Sequence, residues 1–157
     1  MKKLIFAMAL VALADAASAQ EAGQFGAGAV LGSPIGVTGK LWLDGTKAIA
    51  VGLGSSEGNF TAWGDLQLHG WNILPQPAKG KLGLYCSLGG RLEAEEDSEF
   101  GLRTLGGIAY WFGDRPIELF AEMGPAFEFG QRHGDEVDID GGLGVRFYFG
   151  GPATAKK

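Results

Sequence analysis

Three side chains in this sequence have the composition of a hydrolytic site. His69 is the only histidine within a predicted strand, Asp65 shares its face of that strand, and Ser87 lies on the polar face of the next strand. A Ser/His/acid set can cleave an ester, because the histidine takes the hydroxyl proton and the acid holds the histidine tautomer. A lipid substrate would have to approach from the side, whereas these side chains are predicted to point inward. We therefore predict a hydrogen-bonded histidine and no catalytic residues.

Two acidic segments contain carboxylates that could bind cations. Glu136, Asp138, Asp140 and Gly141 resemble half of a calcium loop, but Phe147 stands at the twelfth position, where such a loop needs a bidentate acid. The densest carboxylate cluster consists of Glu93, Glu95, Glu96, Asp97 and Glu99. Mutual repulsion favours a solvated loop there, and the alternative is a loop bridged to lipopolysaccharide by divalent ions. We expect no dedicated metal site and no cofactor.

The composition limits the class of protein. The chain has 157 residues, of which 28 are Gly and 46% are apolar, and its net charge is −5. This length suits one domain, and glycine is unfavourable in helices, so a helical bundle is not expected. The negative charge argues against a nucleic-acid partner, which requires a basic surface. Cys86 is the only cysteine, so an internal disulfide is excluded.

The N-terminal segment has the features of an export signal. A positively charged start and an apolar run over 4–14 precede Ala17-Ser18-Ala19, which matches a signal-peptidase site. The apolar run is shorter than the ~20 residues that a transmembrane helix needs. The predicted organisation is a signal peptide over 1–19, a barrel domain over 20–149 and a polar tail over 150–157.

The rest of the chain alternates between apolar and polar residues with a period of two, interrupted by turn residues. The predicted strands are 24–31, 36–43, 47–55, 60–72, 81–94, 100–112, 117–130 and 137–149. Their connections are too short for parallel crossovers, so neighbouring strands should pair antiparallel. Most strands are close to the ~9–11 residues with which a tilted strand crosses a bilayer. The sequence predicts an all-β fold, an antiparallel up-and-down eight-stranded transmembrane β-barrel.

The two faces of the predicted strands differ in polarity. In 117–130, for example, Leu119, Met123 and Phe127 share one face, and Glu118 and Glu122 lie on the other. A soluble barrel would enclose the apolar face, whereas an outer-membrane barrel turns that face toward lipid. The second face mixes Gly, Trp and Tyr with a few charges, unlike a surface exposed to water. This mixture favours the membrane barrel.

The charges of the second face nearly cancel, as expected if they pair in a confined interior. The predicted charge network consists of Lys40, Asp65, Arg91, Arg103, Glu118, Glu122, Glu128 and Arg146. Such a network would close the barrel to solutes, and eight strands enclose an interior that side chains can fill. Trp42, Trp71 and Trp111 lie near the same ends of the even strands, where they would plug that mouth or join an aromatic girdle.

Two patches carry a family resemblance. The segment Gly144-Val145-Arg146-Phe147-Tyr148-Phe149 resembles the C-terminal β-signal of outer-membrane proteins, in which Gly144, Phe147 and Phe149 would be the signal residues. The segment Gly32-x-Pro34-x-Gly36-x-x-x-Lys40-x-Trp42-Leu43 is similar to a set of uncharacterised small bacterial outer-membrane barrels. The resemblance implies an OmpA/OmpX-like eight-stranded barrel and implies no activity.

We therefore expect a small barrel in the cell outer membrane with a structural or surface-interaction role and no wide pore. Both termini would be periplasmic, with periplasmic turns at 44–46, 75–81 and 113–116 and outer loops at 32–36, 55–59, 94–99 and 131–138. The expected partners are outer-membrane lipid, lipopolysaccharide and the barrel-assembly machinery, and the chain would be a monomer. The alternatives are a soluble periplasmic barrel that binds a lipid or other apolar ligand, and a lipid-modifying enzyme similar to lipid A deacylases.

Overall fold

The computed structural model describes residues 21–94, 98–113, 115–130 and 134–149. Its strands are β1 (Phe25–Ser33), β2 (Ile35–Trp42), β3 (Lys47–Ser56), β4 (Asn59–Gly70), β5 (Lys81–Ala94), β6 (Ser98–Trp111), β7 (Ile117–Gly130) and β8 (Gly134–Phe149). The predicted signal peptide over 1–19 and the predicted tail over 150–157 lie outside the described residues. No helix in the described ranges is long and apolar enough to cross a membrane.

The strands form a closed barrel in chain order. Each strand pairs antiparallel with the next, and β8 returns to β1, with Phe25 opposite Phe149 and Ser33 opposite Gly141. The prediction of an all-β, antiparallel, up-and-down eight-stranded barrel is confirmed. Short connections between period-two segments leave adjacent strands little choice of partner, so the chain folds as a meander.

Two strands begin earlier than the sequence indicates. β8 begins at Gly134, which pairs with Gly130, and β6 begins at Ser98, which pairs with Ala94. The ladder extends past the last apolar residue because its hydrogen bonds join backbone groups and do not depend on apolar side chains. The predicted outer loops at 94–99 and 131–138 are therefore shorter than expected, and Asp138 lies within a strand.

A single carboxylate organises the turn between β2 and β3. Asp44 Oδ1 accepts hydrogen bonds from the Thr46 N–H at 2.7 Å, the Thr46 hydroxyl at 2.9 Å and the Lys47 N–H at 2.8 Å. These bonds, first of all the one from the Thr46 N–H, favour the ionised carboxylate and lower the pKa of Asp44 to about 2. The turn residues thus fix the hairpin through a side chain rather than through apolar contact.

The segment between β4 and β5 is held by Gln76. Its Nε2 donates to the carbonyl oxygens of Trp71, Leu74 and Leu82, and its Oε1 accepts from the Leu82 N–H. A connection without secondary structure needs partners for its backbone groups, and here one amide provides several of them. This segment lies at the same end of the barrel as the Asp44 turn.

Burial alternates along the strands and separates two surfaces of opposite polarity. The outer surface carries large apolar side chains such as Leu88, Met123 and Ile139, each about two-thirds exposed. The most deeply buried side chains on the inner surface include Trp42, Trp111, Arg103, Arg146, Lys40 and Glu118, none more than 2% exposed. Charge is therefore enclosed and apolar surface is displayed, which is the reverse of a water-soluble barrel.

Candidate functional site

Glu118 is the centre of one ion cluster in the half of the barrel near the Asp44 turn. Its Oε1 lies 2.8 Å from Lys40 Nζ, and its Oε2 lies 3.3 Å from Arg146 Nη1 and accepts from the Tyr148 hydroxyl at 2.7 Å. The side chains of Lys40 and Glu118 are fully buried. A buried carboxylate with two cations and a hydroxyl is well satisfied, which is the condition under which enclosed charge is tolerated.

The register of the sheet explains how Arg146 reaches its partners. Arg146 pairs with Glu118 on one side and with Gly28 on the other, and Gly28 pairs with Thr38. Because Gly28 has no side chain, the guanidinium extends over it, and Nε and Nη2 donate to Thr38 Oγ1 at 3.3 and 3.0 Å. One arginine thereby connects strands on both sides of the β1–β8 closure.

A second ion cluster occupies the other half of the interior and is centred on Asp140. Its Oδ1 lies 2.5 Å from Arg91 Nη1, and its Oδ2 lies 3.0 Å from Arg103 Nη1. Arg103 also holds Asp65 in a two-bond arrangement, with Nε 2.9 Å from Oδ1 and Nη2 2.5 Å from Oδ2. Such paired bonds between guanidinium and carboxylate are among the strongest in proteins.

Arg91 carries this cluster toward the end of the barrel that is remote from the Asp44 turn. It pairs with Glu93 on its own strand, with Glu128 Oε1 at 2.9 Å and with Asp138 Oδ2 at 3.7 Å. Asp138 is about half exposed, whereas Arg91 is buried. Carboxylates therefore outnumber cations in this group, and the excess lies at the more exposed end.

Asp140 is fully buried in the second cluster and does not belong to the predicted network; Glu93 and Asp138, which also pair with Arg91, do not belong to it either. The acidic spacing around Asp140 suggests half of a calcium loop, whereas Asp140, Gly142, Gly144 and Arg146 occupy alternate positions and hence one face of β8. This alternation places Asp140 on the same inward face as Arg146. Since Asp140 is committed to Arg91 and Arg103, the calcium interpretation does not hold for this residue.

Glu122 differs from the other predicted network residues. Its Oε2 accepts from the Tyr85 hydroxyl at 2.5 Å, and the described residues place no cation within ion-pair distance of it. The register gives the reason, because its inner row contains Tyr85, Gly107 and Gly142 and no lysine or arginine. The expected ion pair at Glu122 is thus replaced by a hydrogen bond from an uncharged hydroxyl.

Aromatic rings fill the end of the barrel near the Asp44 turn. The centroid of Trp42 lies 4.6 Å from His69, 5.9 Å from Trp71 and 5.9 Å from Trp111. His69 also stacks on Tyr85 at 4.8 Å. Lys40 Nζ lies 4.6 Å from the Trp42 centroid, so the ion cluster of Glu118 and the aromatic cluster are in contact. All three tryptophans expected at this mouth belong to the group.

The Ser/His/acid set is not assembled as a catalytic site. His69 Nε2 lies 3.4 Å from Gln67 Oε1, and both oxygens of Asp65 bond Arg103. Ser87 Oγ is buried and has no hydrogen-bond partner among the described residues. A triad needs the serine on the histidine and the histidine on the acid. In this structure the acid is held by another side chain.

The described residues also contain no group of three His, Cys, Asp or Glu side chains arranged to hold a metal ion. Of the acidic cluster considered for cation bridging, Glu95, Glu96 and Asp97 lie outside the described residues, and Glu93 is paired with Arg91.

The β-signal residues lie on the last strand, where it closes the barrel. Phe149 pairs with Phe25 and is exposed, and Phe147 lies between Ala27 and Ile117. Gly144 faces inward, and a Cβ there would lie 2.1 Å from the ring of Phe120. Gly144 is thus required for packing, and recognition of these residues by an assembly machinery stays a prediction.

Comparisons with known proteins identify the fold. No family model matches the chain, and no curated protein matches it. Its structure is similar to the crystal structure of the N-terminal β-barrel domain of Pseudomonas aeruginosa OprF, with a TM-score of 0.57 and 14% sequence identity. The match covers 83% of this chain and 100% of that domain. At this identity the likeness establishes the eight-stranded barrel fold.

Proposed function

We propose that the mature chain is a small outer-membrane β-barrel whose lumen is filled by side chains and whose role is structural or surface-interacting. The observation that carries the proposal is the inverted polarity of the barrel. Lys40, Glu118 and Arg146 are enclosed, whereas side chains such as Leu31, Leu88 and Leu143 are about two-thirds exposed. Displaying so much apolar surface to water is unfavourable at roughly 25 cal/mol per Å², so a hydrocarbon environment is the favourable one.

The lengths of the strands support the same environment. Strands β4 to β8 have 12 to 16 residues, and β1 to β3 have 8 to 10. A tilted strand crosses the hydrocarbon core with ~9–11 residues. A closed barrel also leaves no unpaired strand edge in lipid, where an unsatisfied backbone group would cost several kcal/mol.

The interior supports a closed barrel rather than a wide pore. Two ion clusters, centred on Glu118 and Asp140, and the rings around Trp42 occupy successive levels of the lumen. A cavity near Trp63 and Arg103 has a volume of about 10 Å³, which is about the space of a single water molecule. We expect lipid and lipopolysaccharide as surroundings, the barrel-assembly machinery as the folding partner, and a monomeric state.

Cell fractionation tests this proposal. The protein should sediment with the outer membrane, require detergent for release and migrate differently on gels before and after boiling. In planar bilayers the purified protein should give no large, stable conductance. Release by osmotic shock without detergent would reject the membrane barrel, and a steady large conductance would reject the closed lumen.

Each of the two alternative functions requires an interior that differs from the one observed. A soluble periplasmic barrel for an apolar ligand needs an apolar cavity, whereas this lumen encloses Lys40, Arg103 and Arg146. A lipid-modifying enzyme needs its nucleophile next to its base, whereas His69 is in contact with Gln67 and aromatic rings. The enzyme alternative is tested with His69→Gln. We expect cells with this variant and cells with the natural chain to have identical lipid A acylation, and a difference would support the enzyme.

A further inference from the structure

A groove of about 810 Å³ lies on the wall formed by β5 to β8. Its sides are large apolar side chains from each of these strands, namely Leu84, Ile108, Met123, Ile139 and Leu143. Between them lie the small residues Gly106, Ala121 and Gly141. The groove is therefore a depression in the outer, apolar surface and not part of the lumen.

The register shows why the wall is recessed here. Gly106 pairs with Met123, which pairs with Gly141, so two positions without side chains flank one long, exposed side chain. In the adjacent row, Ala121 lies between Ile108 and Leu143. A Cβ added at Gly106 would meet nothing closer than 4.0 Å, so the space above this glycine is open.

The polar residues that border the floor are turned away from the groove. Tyr85, Glu122 and Asp140 occupy inner positions, where Tyr85 donates to Glu122 and Asp140 bonds two arginines. The surface that an occupant of the groove would contact is therefore almost entirely hydrocarbon. Its lining contains no lysine or arginine, so a lipid phosphate would find no cationic partner there.

We propose that this groove binds a single acyl chain of a membrane lipid. The inference rests on the proposed function, since it requires that this wall face a bilayer. Further along β5 and β6, the outward side chains of Leu88 and Leu102 are also apolar and exposed. Its size is within the ~300–1,000 Å³ of typical ligand sites, which are predominantly apolar. An acyl chain matches this shape and chemistry, whereas a lipid headgroup does not.

Photo-crosslinking tests the acyl-chain site in the full mature protein. The protein is refolded into phosphatidylcholine vesicles that contain a phosphatidylcholine with a diazirine at mid-chain, irradiated, and mapped by mass spectrometry. The groove residues should carry severalfold more label than the opposite wall, where Val37 pairs with Leu53 and both are exposed. The variant Gly106→Leu, which fills the groove, should reduce labelling there to the level of the opposite wall.

A matched control distinguishes filling from general damage. Gly64 also points outward, and a Cβ there would meet only Val51 Cγ1 at 3.9 Å. Gly64→Leu should therefore leave labelling of the groove unchanged. If Gly64→Leu lowered the groove label as much as Gly106→Leu, the proposed site would be rejected.

The remaining outcomes separate this site from the proposed function. Equal labelling of all outward positions would overturn the acyl-chain site and leave the membrane barrel intact. Absence of label on every wall would overturn both. Cys86 pairs with Gly106 at the edge of the groove and is exposed. If a second copy of the chain occupied the groove, the two Cys86 thiols could form a disulfide between the copies. A Cys86-linked dimer on mild oxidation, with no lipid label in the groove, would assign the groove to that copy and overturn the proposal.

Discussion

Arg103 reaches Asp65 across a residue that has no side chain. The two lie on β6 and β4, on either side of Gly89 in β5, and the guanidinium holds both carboxylate oxygens. Arg146 reaches Thr38 over Gly28 in the same way, and Arg91 reaches Glu128 over Gly101. The inward glycines therefore determine which charged residues can meet.

Substitution of Gly89 tests this relationship. In Gly89→Ala, the new Cβ would lie 2.1 Å from Asp65 Oδ1 and 2.1 Å from the Gly64 carbonyl oxygen. The backbone contact cannot yield easily, so we expect a loss of roughly 1–3 kcal/mol from overpacking. Gly64→Ala is the control, because its Cβ has open space. Urea unfolding in detergent micelles measures both, and equal midpoints for the two variants would contradict the expectation.

Breaking the buried ion pair between Lys40 and Glu118 should strongly destabilise the barrel. Lys40→Met removes one of two cations from a fully buried carboxylate, and breaking such a pair costs roughly 3–5 kcal/mol. Lys47→Met breaks only the exposed pair with Asp44, which solvent screens and which therefore contributes little. The temperature at which the folded gel band is lost should fall for Lys40→Met and stay nearly constant for Lys47→Met.

Asp140 and Asp138 are two residues apart and should differ sharply in their contribution to stability. Asp140→Asn removes the charge that Arg91 and Arg103 share, but Arg103 keeps Asp65 and Arg91 keeps Glu93 and Glu128, so the expected loss is roughly 1–3 kcal/mol. Asp138 is about half exposed and 3.7 Å from Arg91, so Asp138→Asn should change stability by less than about 1 kcal/mol. Denaturant titrations of both variants decide the matter, and a larger effect at 138 would reject the second cluster as described.

Glu122 should behave as a hydrogen-bond partner and not as an ion-pair partner. Glu122→Gln keeps an acceptor for the Tyr85 hydroxyl, so the expected loss is about 1 kcal/mol. Glu118→Gln, in contrast, leaves Lys40 and Arg146 without their common anion and should cost several kcal/mol. Comparable unfolding midpoints for these variants would show that Glu122 contributes charge that the observed contacts do not explain.

The Asp44 turn has a defined dependence on pH. Its carboxylate has a pKa of about 2 in the folded chain against an ordinary value of 3.8. Since the folded value is the lower one, the turn is fully stabilised above about 3.8 and loses that stabilisation as the pH falls through about 2. Carboxyl carbon shifts in an NMR titration report the value. Thr46→Ala removes the hydroxyl donor and should raise the pKa toward 3.8.

The strand number, the antiparallel order and the inward face follow from local alternation, and the sequence therefore predicts them. Glu118 and Arg146 could be expected to meet because the register of one hairpin places them opposite each other. The contact of Lys40 with Glu118 could not, because β2 and β7 are not neighbours and approach only when the barrel closes. Asp140 lies within the predicted strand 137–149 and its parity places it inside, but the acidic residues at alternate positions resemble half of a calcium loop and conceal its role in the network.

The closure between β1 and β8 joins segments that are almost the whole barrel apart in sequence. Every other ladder in the wall is a hairpin, so its loop-closure entropy is small, whereas the final seam needs nearly the entire chain to be in place. Lys40 and Thr38 contact Glu118 and Arg146 across this seam, so these contacts form only when it closes, whereas the pair of Glu118 with Arg146 belongs to the β7–β8 hairpin. Until that moment β1 and β8 are open edges, exposed to pairing with other chains. During biogenesis, the edges of β1 and β8 must therefore be protected until they pair with each other, a requirement that cannot be seen in the closed barrel.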